Sequence, residues 1–281
     1  MASRSARCML FEKHYKAEHS LAAYHHEDAE FLEDSQLVLT ELFRFFSSGD
    51  VKGDTLIYYG GCHALGYLFP ACRFFKEIIL AAFLETRLQA ARTWINKEPG
   101  AFDWSLSAKI VCKLEGNREI GIEKEESLRR KITKFIKCEA NEDHPVAPKL
   151  PTQADCVLST FFLDFLCTDV DGFCKALKDM SSLLKIGGHL VLVLFLGCTF
   201  VMIGTFKMPF LCLDVEFVKA AVIDAGLVIK ESKNNERVNQ TKYSVMDYAS
   251  VFCLVACKED NGPHYTVGGK GLPEPVKYRY R

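Results

Sequence analysis

The sequence has almost no net charge and no apolar run long enough to cross a bilayer. Its 35 basic and 36 acidic side chains leave a net charge of −1, which removes any composition-based argument for nucleic acid or an anionic membrane. The longest apolar run, residues 190–203, is shorter than a membrane span and favours a buried central strand. We therefore expect neither a nucleic-acid partner nor a membrane partner.

The sequence also lacks a C-x-x-C pair, and it lacks a basic-then-apolar leader with a small-residue cleavage site. The missing leader predicts that the protein is not secreted. Its 12 cysteines fall mostly inside apolar runs. That placement is typical of reduced core thiols, so we expect a cytoplasmic protein without a metal site.

The most informative stretch that is present covers residues 53–66. An apolar run at 55–59 stops at Gly60 and Gly61, and apolar side chains then recur with helical spacing over 65–72. The pattern predicts a strand, a tight turn and a helix. In open α/β sheets, nucleotide-like cofactors lie at such a turn because glycines let the backbone approach and the helix N-terminus offers free N–H groups. The same pair of glycines is equally compatible with a turn that serves packing alone.

Predicted strands and helices alternate along the rest of the chain. Further strands are expected at 77–81, 135–138, 155–160, 190–203, 227–229 and 250–257. A first helix is expected to run from Asp34 or Ser35 as N-cap to Phe46, and a second at 83–96. A third is expected from about residue 125, with Ile132 and Ile136 on its inner face. Two more are expected at 170–184, with Gly187 and Gly188 as cap, and from Asp214 as N-cap to Gly226. The alternation indicates an α/β fold with a mostly parallel sheet covered on both faces.

Composition divides the chain into three parts. Residues 1–33 show no clear periodicity and are interpreted as an N-terminal lid, and residues 34–257 form the α/β domain. Within that domain, residues 97–123 are interpreted as an insertion between sheet elements. Residues 258–281 are rich in Gly, Pro, Lys, Arg and Tyr and are predicted to be a disordered tail.

Several segments together resemble one family. In chain order they are VKGDTLI (51–57), FKEI (75–78), KEPGAFDWS (97–105), LEGN (114–117), ADCVLST (154–160), SLLK with the following glycine pair (182–188) and MIG (202–204). This set is similar to the small-molecule N-methyltransferases that act on nicotinamide, indolethylamine and phenylethanolamine. The resemblance covers about residues 10 to 257, and the segments 97–105 and 154–160 are not generic to the fold.

The resemblance implies a Rossmann-like class I methyltransferase fold, with a seven-stranded sheet whose last strand is antiparallel. It implies S-adenosylmethionine as the cofactor and a small-molecule amine or N-heterocycle as the acceptor. Such enzymes work mainly by holding donor and acceptor in line, so the anchoring side chains matter more than any proton-transfer group. No catalytic residue is assigned. The positions that the resemblance assigns to cofactor binding are Tyr24, Gly60, Gly61, Glu139, Ala140 and Thr160.

Several cofactor anchors of the family are replaced in this chain. Tyr58 stands where the family sets a carboxylate at the end of the first strand, and Cys62 stands where it sets a second glycine. Ala82 replaces an acidic residue that would hold the ribose, and Arg87 places a cation near a cofactor that already carries a sulfonium charge. A charge-assisted hydrogen bond contributes about 1.5–3 kcal/mol, so these changes predict weak or lost cofactor binding.

The substrate side differs as well. Leu194, Val201 and Phe210 occupy positions where the nicotinamide-type enzymes carry an aspartate, a tyrosine and a serine. In the lid, Ser20 and His25 stand where those relatives have tyrosines. Four phenylalanines near the substrate side form a further set: Phe195, Phe200, Phe206 and Phe210. These side chains either line an apolar ligand pocket or fill the volume that polar residues vacated.

Three functional hypotheses remain open from the sequence. The first is a family member with eroded sites that keeps the fold as a scaffold or binding protein. The second is an active N-methyltransferase that holds the cofactor differently, through Tyr58, Glu139 and Thr160. The third is an abundant structural or carrier protein recruited from the enzyme fold.

Overall fold

The structure, a computed structural model, describes residues 7–10, 31–60, 64–116, 120–139, 142, 145–150, 152–203, 205–237 and 245–260. The helices are α1 (Leu32–Ser47), α2 (Glu85–Ile95), α3 (Ser105–Leu114), α4 (Gly121–Lys131), α5 (Leu163–Leu166), α6 (Val170–Ser182) and α7 (Val215–Asp224). The strands are β1 (Gly53–Tyr59), β2 (Phe75–Ala82), β3 (Ile132–Lys137), β4 (Ala154–Thr160), β5 (Leu184–Leu196), β6 (Phe200–Ile203), β7 (Phe206–Pro209), β8 (Val228–Glu236) and β9 (Ser250–Cys257).

Seven of the strands form one sheet in the order β3-β2-β1-β4-β5-β9-β8. The first five are parallel to one another, while β9 runs antiparallel to both β5 and β8. Strands β6 and β7 form a separate antiparallel pair. The predicted α/β class and the antiparallel last strand are therefore confirmed. Because parallel strands share a direction, the carboxyl ends of β1, β2, β4 and β5 meet at one edge of the sheet.

Apolar side chains cover both faces of this sheet. Successive residues of β1 alternate between two clusters, with Leu56 and Tyr58 in one and Ile57 and Tyr59 in the other. The first cluster includes the inner faces of α1, α2 and α3, and the second includes those of α6 and α7. A sheet buried on both faces explains why its strands read as continuous apolar runs in the sequence.

The predicted start of the first helix is wrong by a few residues. Helix α1 begins at Leu32, and neither Asp34 nor Ser35 caps it. Both side chains make tertiary contacts instead, since Asp34 accepts a hydrogen bond from the Tyr248 hydroxyl and Ser35 Oγ lies 3.2 Å from the Tyr67 hydroxyl. The sequence has the pattern of a helix cap, but the polar side chains of that pattern form hydrogen bonds with distant residues instead of with the helix N-terminus.

The helix predicted after β1 is also wrong. In the described residues 64–74, a short 3-10 turn, Leu65–Leu68, takes the place of the helix, and the chain then continues in turns until β2. Pro70 explains this, because proline lacks the backbone N–H and its ring clashes with the preceding helical turn.

The glycine pair after the 170–184 helix does not cap it. Helix α6 ends at Ser182, and Gly187 and Gly188 lie inside β5. A Cβ on Gly188 would come within 2.9 Å of the Lys185 carbonyl oxygen, so close backbone approach is the reason for glycine there. The strand predicted at 190–203 begins and ends earlier, since β5 runs from Leu184 to Leu196 and residues 200–203 form the separate strand β6.

Two further boundaries differ. The insertion at 97–123 contains helix α3, which buries Ala108 and Val111 in the core. Helix α4 ends at Lys131, and Ile132 and Ile136 belong to β3 rather than to a helix face. By contrast, the predicted cap of α7 is confirmed, since the Asp214 carboxylate accepts from the backbone N–H of Phe217 at 2.8 Å. The strand predicted at 250–257 is confirmed as β9.

The division into lid, domain and tail stays a prediction. Most of residues 1–33 and all of 261–281 lie outside the described residues.

Candidate functional site

The candidate site lies at the carboxyl edge of the sheet, where β1, β2, β4 and β5 end. Gly60 follows β1 with φ +82°, a conformation that favours glycine, and its N–H donates to the Ala81 carbonyl oxygen at 2.7 Å. Strand β1 therefore ends at a bend at Gly60. The side chains that pack against Gly60 determine whether a cofactor can approach its backbone.

The ring of Phe162 packs directly on Gly60. A Cβ placed on Gly60 would lie 1.9 Å from the ring carbon Cδ1, so no other group fits between them. Phe162 comes two residues after β4 and is only 1 % exposed. Its ring stacks on Phe83 at 5.5 Å between centroids and meets Tyr59 edge-on at 6.4 Å. An interlocked aromatic group thus covers Gly60.

Arg87 lies against the same turn. Its guanidinium donates through Nη1 to the Gly60 carbonyl oxygen at 2.9 Å, and the residue is 4 % exposed. The guanidinium carbon is 5.5 Å from the centroid of the Phe162 ring and 5.9 Å from that of Phe165, within the range of cation–π attraction. Arg87 therefore joins α2 to the turn and to the aromatic group.

Tyr58 and Thr160 face each other across the neighbouring strands β1 and β4. The Tyr58 hydroxyl lies 2.7 Å from Thr160 Oγ1 and also donates to the Ala64 carbonyl oxygen at 3.2 Å. Both side chains are buried. The tyrosine that replaces the family's carboxylate is thus hydrogen bonded to one of the predicted cofactor-binding residues.

Aromatic rings also fill the space beyond β5. Phe161 and Phe195 stack with 4.0 Å between centroids, and Tyr248 lies 4.6 Å from Phe195. Phe161 has φ +49°, a strained conformation for a residue with a side chain, so the surrounding packing holds it in place. Of the phenylalanine-rich set, Phe195 belongs to this packed group, which favours volume filling for that member.

Asp164 is a fully buried carboxylate next to these rings. It accepts hydrogen bonds from the backbone N–H groups of Phe195 at 2.8 Å and Phe165 at 3.1 Å. Burial raises the pKa of this carboxyl to about 7, although these bonds and the charge of Arg7 act in the opposite direction. The carboxylate fixes the end of β5 relative to α5.

The structure brings together only part of the predicted cofactor site. Gly60 after β1, Thr160 at the end of β4 and Glu139 after β3 all lie at the carboxyl edge, where Glu139 is exposed. Tyr24, Gly61 and Ala140 lie outside the described residues, as do Cys62, Ser20 and His25. The described replacements on the substrate side are placed in β5, in β6 and after β7: Leu194, Val201 and Phe210.

Sequence reasoning missed the two residues that fill the site most directly. Phe161 and Phe162 follow the matched segment 154–160 at once, at the point where β4 enters the carboxyl edge. Two bulky rings at the end of a strand that borders the site were a readable signal. The contact of Arg87 with Gly60 spans 27 residues and had no sequence signal.

In the part of the chain that the structure describes, no three His, Cys, Asp or Glu side chains are grouped so that they could hold a metal ion. In the same residues, no helix has the length and apolar character needed to cross a membrane.

The sheet order, the antiparallel β9 and the glycine turn after β1 define the class I methyltransferase fold. A solved structure of magnesium protoporphyrin IX methyltransferase from Synechocystis with bound S-adenosylmethionine has this fold, with a TM-score of 0.52 at 11 % identity over 90 % of this chain and 97 % of that one.

The family is shown by sequence as well. The NNMT/PNMT/TEMT family model matches residues 6–259, and the chain belongs to that family. It is 40 % identical to human nicotinamide N-methyltransferase over 88 % of this chain and 90 % of that protein. It is 37 % identical to rabbit (Oryctolagus cuniculus) indolethylamine N-methyltransferase over 68 % and 72 %. The cofactor of the family is S-adenosylmethionine, as the resemblance implies.

Proposed function

We propose that this protein is a non-catalytic member of its family, which keeps the methyltransferase fold as a packed scaffold. The observation that carries the proposal is the ring of Phe162 on Gly60. A cofactor bound at this turn needs the backbone of the glycine to be approachable. The ring occupies that approach, so the residues present do not fit S-adenosylmethionine in the position that the turn offers.

The charge at the turn supports the same proposal. Arg87 is buried and its guanidinium contacts Gly60 directly. A sulfonium cofactor would bring a second positive charge to this region of low dielectric constant, where like charges repel strongly. Ala82, at the end of β2, has no carboxylate to accept from ribose hydroxyls or to offset that charge.

The alternative of an active enzyme with a different cofactor mode is less well supported. It relies on Tyr58, Glu139 and Thr160 as substitute anchors. Tyr58 and Thr160 are buried and hydrogen bonded to each other, and Glu139 lies exposed after β3. To bind a cofactor, the first two would have to give up a hydrogen bond worth about 1 kcal/mol.

We also propose a reducing, cytoplasmic setting. Burial raises the pKa of several of the described cysteines, including Cys138 to about 12 and Cys212 to about 11. Thiols that remain protonated react slowly, and this fits core packing rather than catalysis.

Methyl-transfer activity tests the proposal directly. Purified protein would be incubated with methyl-labelled S-adenosylmethionine and a panel of nicotinamide, indolethylamine and phenylethanolamine, with human nicotinamide N-methyltransferase as the positive control. We expect no labelled product above the protein-free blank. Turnover of any acceptor that is weakened by Glu139→Gln and abolished by Thr160→Ala would favour the altered-site enzyme instead.

A further inference from the structure

Arg87 lies at an unfavourable place for a cation. It is the third residue of α2 and falls in the first turn of that helix, where the partial positive charge of a helix N-terminus disfavours another cation. The acidic residue of the same turn, Glu85, is paired with Arg92 at 2.7 Å. Arg87 is also buried, and burial of a charge is costly unless other groups compensate for it. The contacts of the guanidinium must therefore offset both costs.

Two aromatic rings meet the guanidinium at almost the same distance. Its carbon lies 5.5 Å from the centroid of the Phe162 ring and 5.9 Å from that of the Phe165 ring. The two ring centroids are 6.5 Å apart, and the ring planes are inclined at 41° to each other. These three distances are nearly equal, so both rings contact the same cation at once. Aromatic faces attract cations, and the attraction is stronger where water is excluded.

A backbone oxygen completes the contacts. The Gly60 carbonyl oxygen accepts from Arg87 Nη1 at 2.9 Å. Gly60 follows the last residue of β1, and its N–H donates to the Ala81 carbonyl oxygen. A buried carbonyl oxygen that loses a donor costs free energy, so the guanidinium stabilises the end of the strand as well as the rings.

We propose that the Gly60 carbonyl oxygen and the rings of Phe162 and Phe165 form a cation cradle, that Arg87 is its built-in occupant, and that the cradle binds a separate organic cation of the guanidinium class once the Arg87 side chain is removed. The proposal rests on the proposed function in one respect: a cation that belongs to the chain itself already fills this place beside the turn, so a sulfonium cofactor does not enter it.

The chemistry of the cradle determines which ligands it selects. The rings favour a positive charge, and the carbonyl oxygen requires an N–H donor. Methylguanidinium has the charge, the planar shape and the donors of the arginine head group. Methylurea has a similar planar shape and N–H groups but no charge, and trimethylsulfonium has the charge but no N–H. We therefore expect methylguanidinium to bind more tightly than either of the other two.

The test uses the full-length protein with the substitution Arg87→Ala. Thermal unfolding would be followed by circular dichroism with each of the three compounds, at an ionic strength kept constant with sodium chloride. If the dissociation constant of methylguanidinium is about 5 mM, a concentration of about 50 mM raises the folding equilibrium constant of the variant about tenfold. Methylurea at the same concentration should leave that constant unchanged.

Leu88→Ala is the matched control. Leu88 is the next residue of α2 and is completely buried in the apolar cluster that includes α1 and α3, so its removal leaves a cavity that lacks the cradle. Guanidinium compounds weaken folded proteins in general, and the control and the wild type measure that effect. Neither protein should be stabilised by methylguanidinium. Arg87→Met, which fills most of the vacated volume without a charge, should not be stabilised either.

Arg7 carries the other guanidinium close to the cradle, with its carbon 5.8 Å from the centroid of the Phe165 ring. The titration is therefore repeated with Arg7→Gln added to Arg87→Ala, so that Arg7 does not compete for the vacated space. We expect this double variant to respond to methylguanidinium at least as strongly as the single variant.

The proposal is overturned if methylguanidinium stabilises neither of these two variants more than it stabilises Leu88→Ala, or if methylurea acts as strongly. If Arg87→Ala does not fold by itself, its native circular dichroism spectrum should return with methylguanidinium and not with methylurea, and failure to return would contradict the cradle. These results are distinct from the test of the proposed function. Methyl transfer by the wild type would contradict the scaffold, whereas the response of Arg87→Ala decides the cradle.

Discussion

Replacing Phe162 by alanine should destabilise the fold and open the space above Gly60. The ring is 1 % exposed, packs on Phe83 and Tyr59, and lies under the guanidinium of Arg87. Removing a buried phenylalanine side chain costs about 3–5 kcal/mol. Because the ring lies between three rigid neighbours and a glycine backbone, the cavity can collapse little, and we expect a loss in the upper half of that range.

The assay is urea unfolding followed by circular dichroism, with Phe173→Ala as the matched control. Phe173 is equally buried and packs on Phe217 with 6.1 Å between centroids, but it lies in α6. Both variants should lose a similar free energy of unfolding. Only the Phe162 variant should be stabilised by S-adenosylhomocysteine, which has no sulfonium charge for Arg87 to repel. At a concentration 100 times the dissociation constant, binding would restore about 2.7 kcal/mol.

Two results would refute this reasoning. A loss below about 1 kcal/mol in Phe162→Ala would mean that the ring is not a packing element of the turn. Equal stabilisation of the wild type and the Phe162 variant by S-adenosylhomocysteine would mean that the ring does not block the site.

Three further predictions concern the scaffold. Lys124→Met should lose about 3–5 kcal/mol in urea unfolding, because it leaves Glu115 buried without the ammonium that lies 2.6 Å away, and adding Glu115→Leu should recover most of the loss. Burial alone would raise the pKa of Asp155, but hydrogen bonds from Lys185 and from backbone N–H groups lower it overall. Its contribution is therefore lost as pH falls below about 4, and Asp155→Asn should flatten the acid limb of stability against pH. Asp214→Ala should cost about 1 kcal/mol by removing the cap of α7, and Asp214→Asn clearly less.

The fold could be predicted from the sequence because the buried strands and the helix caps have local signals. Residues 250–257 read as a strand and form β9, and Asp214 reads as a cap and is one. The errors arise where a tertiary contact overrides a local pattern. Asp34 looks like a cap but accepts from Tyr248, and Gly187 looks like a helix end but its N–H donates to the Lys258 carbonyl oxygen within the sheet region.

The candidate site was predictable only in part. The replacements at Tyr58, Ala82 and Arg87 can be read from the sequence once the family is known. What fills the space cannot be read in the same way, because the contact between Phe162 and Gly60 joins residues 102 positions apart. Sequence identifies which polar anchors are missing, whereas packing determines what takes their place.

The most direct test of the central claim is calorimetric titration of the wild-type protein with S-adenosylmethionine and S-adenosylhomocysteine, with human nicotinamide N-methyltransferase titrated in parallel. We predict no saturable binding of either ligand up to about 1 mM, which corresponds to a binding free energy weaker than about −4 kcal/mol. A dissociation constant near 1 μM for either ligand, about −8 kcal/mol, would contradict the account.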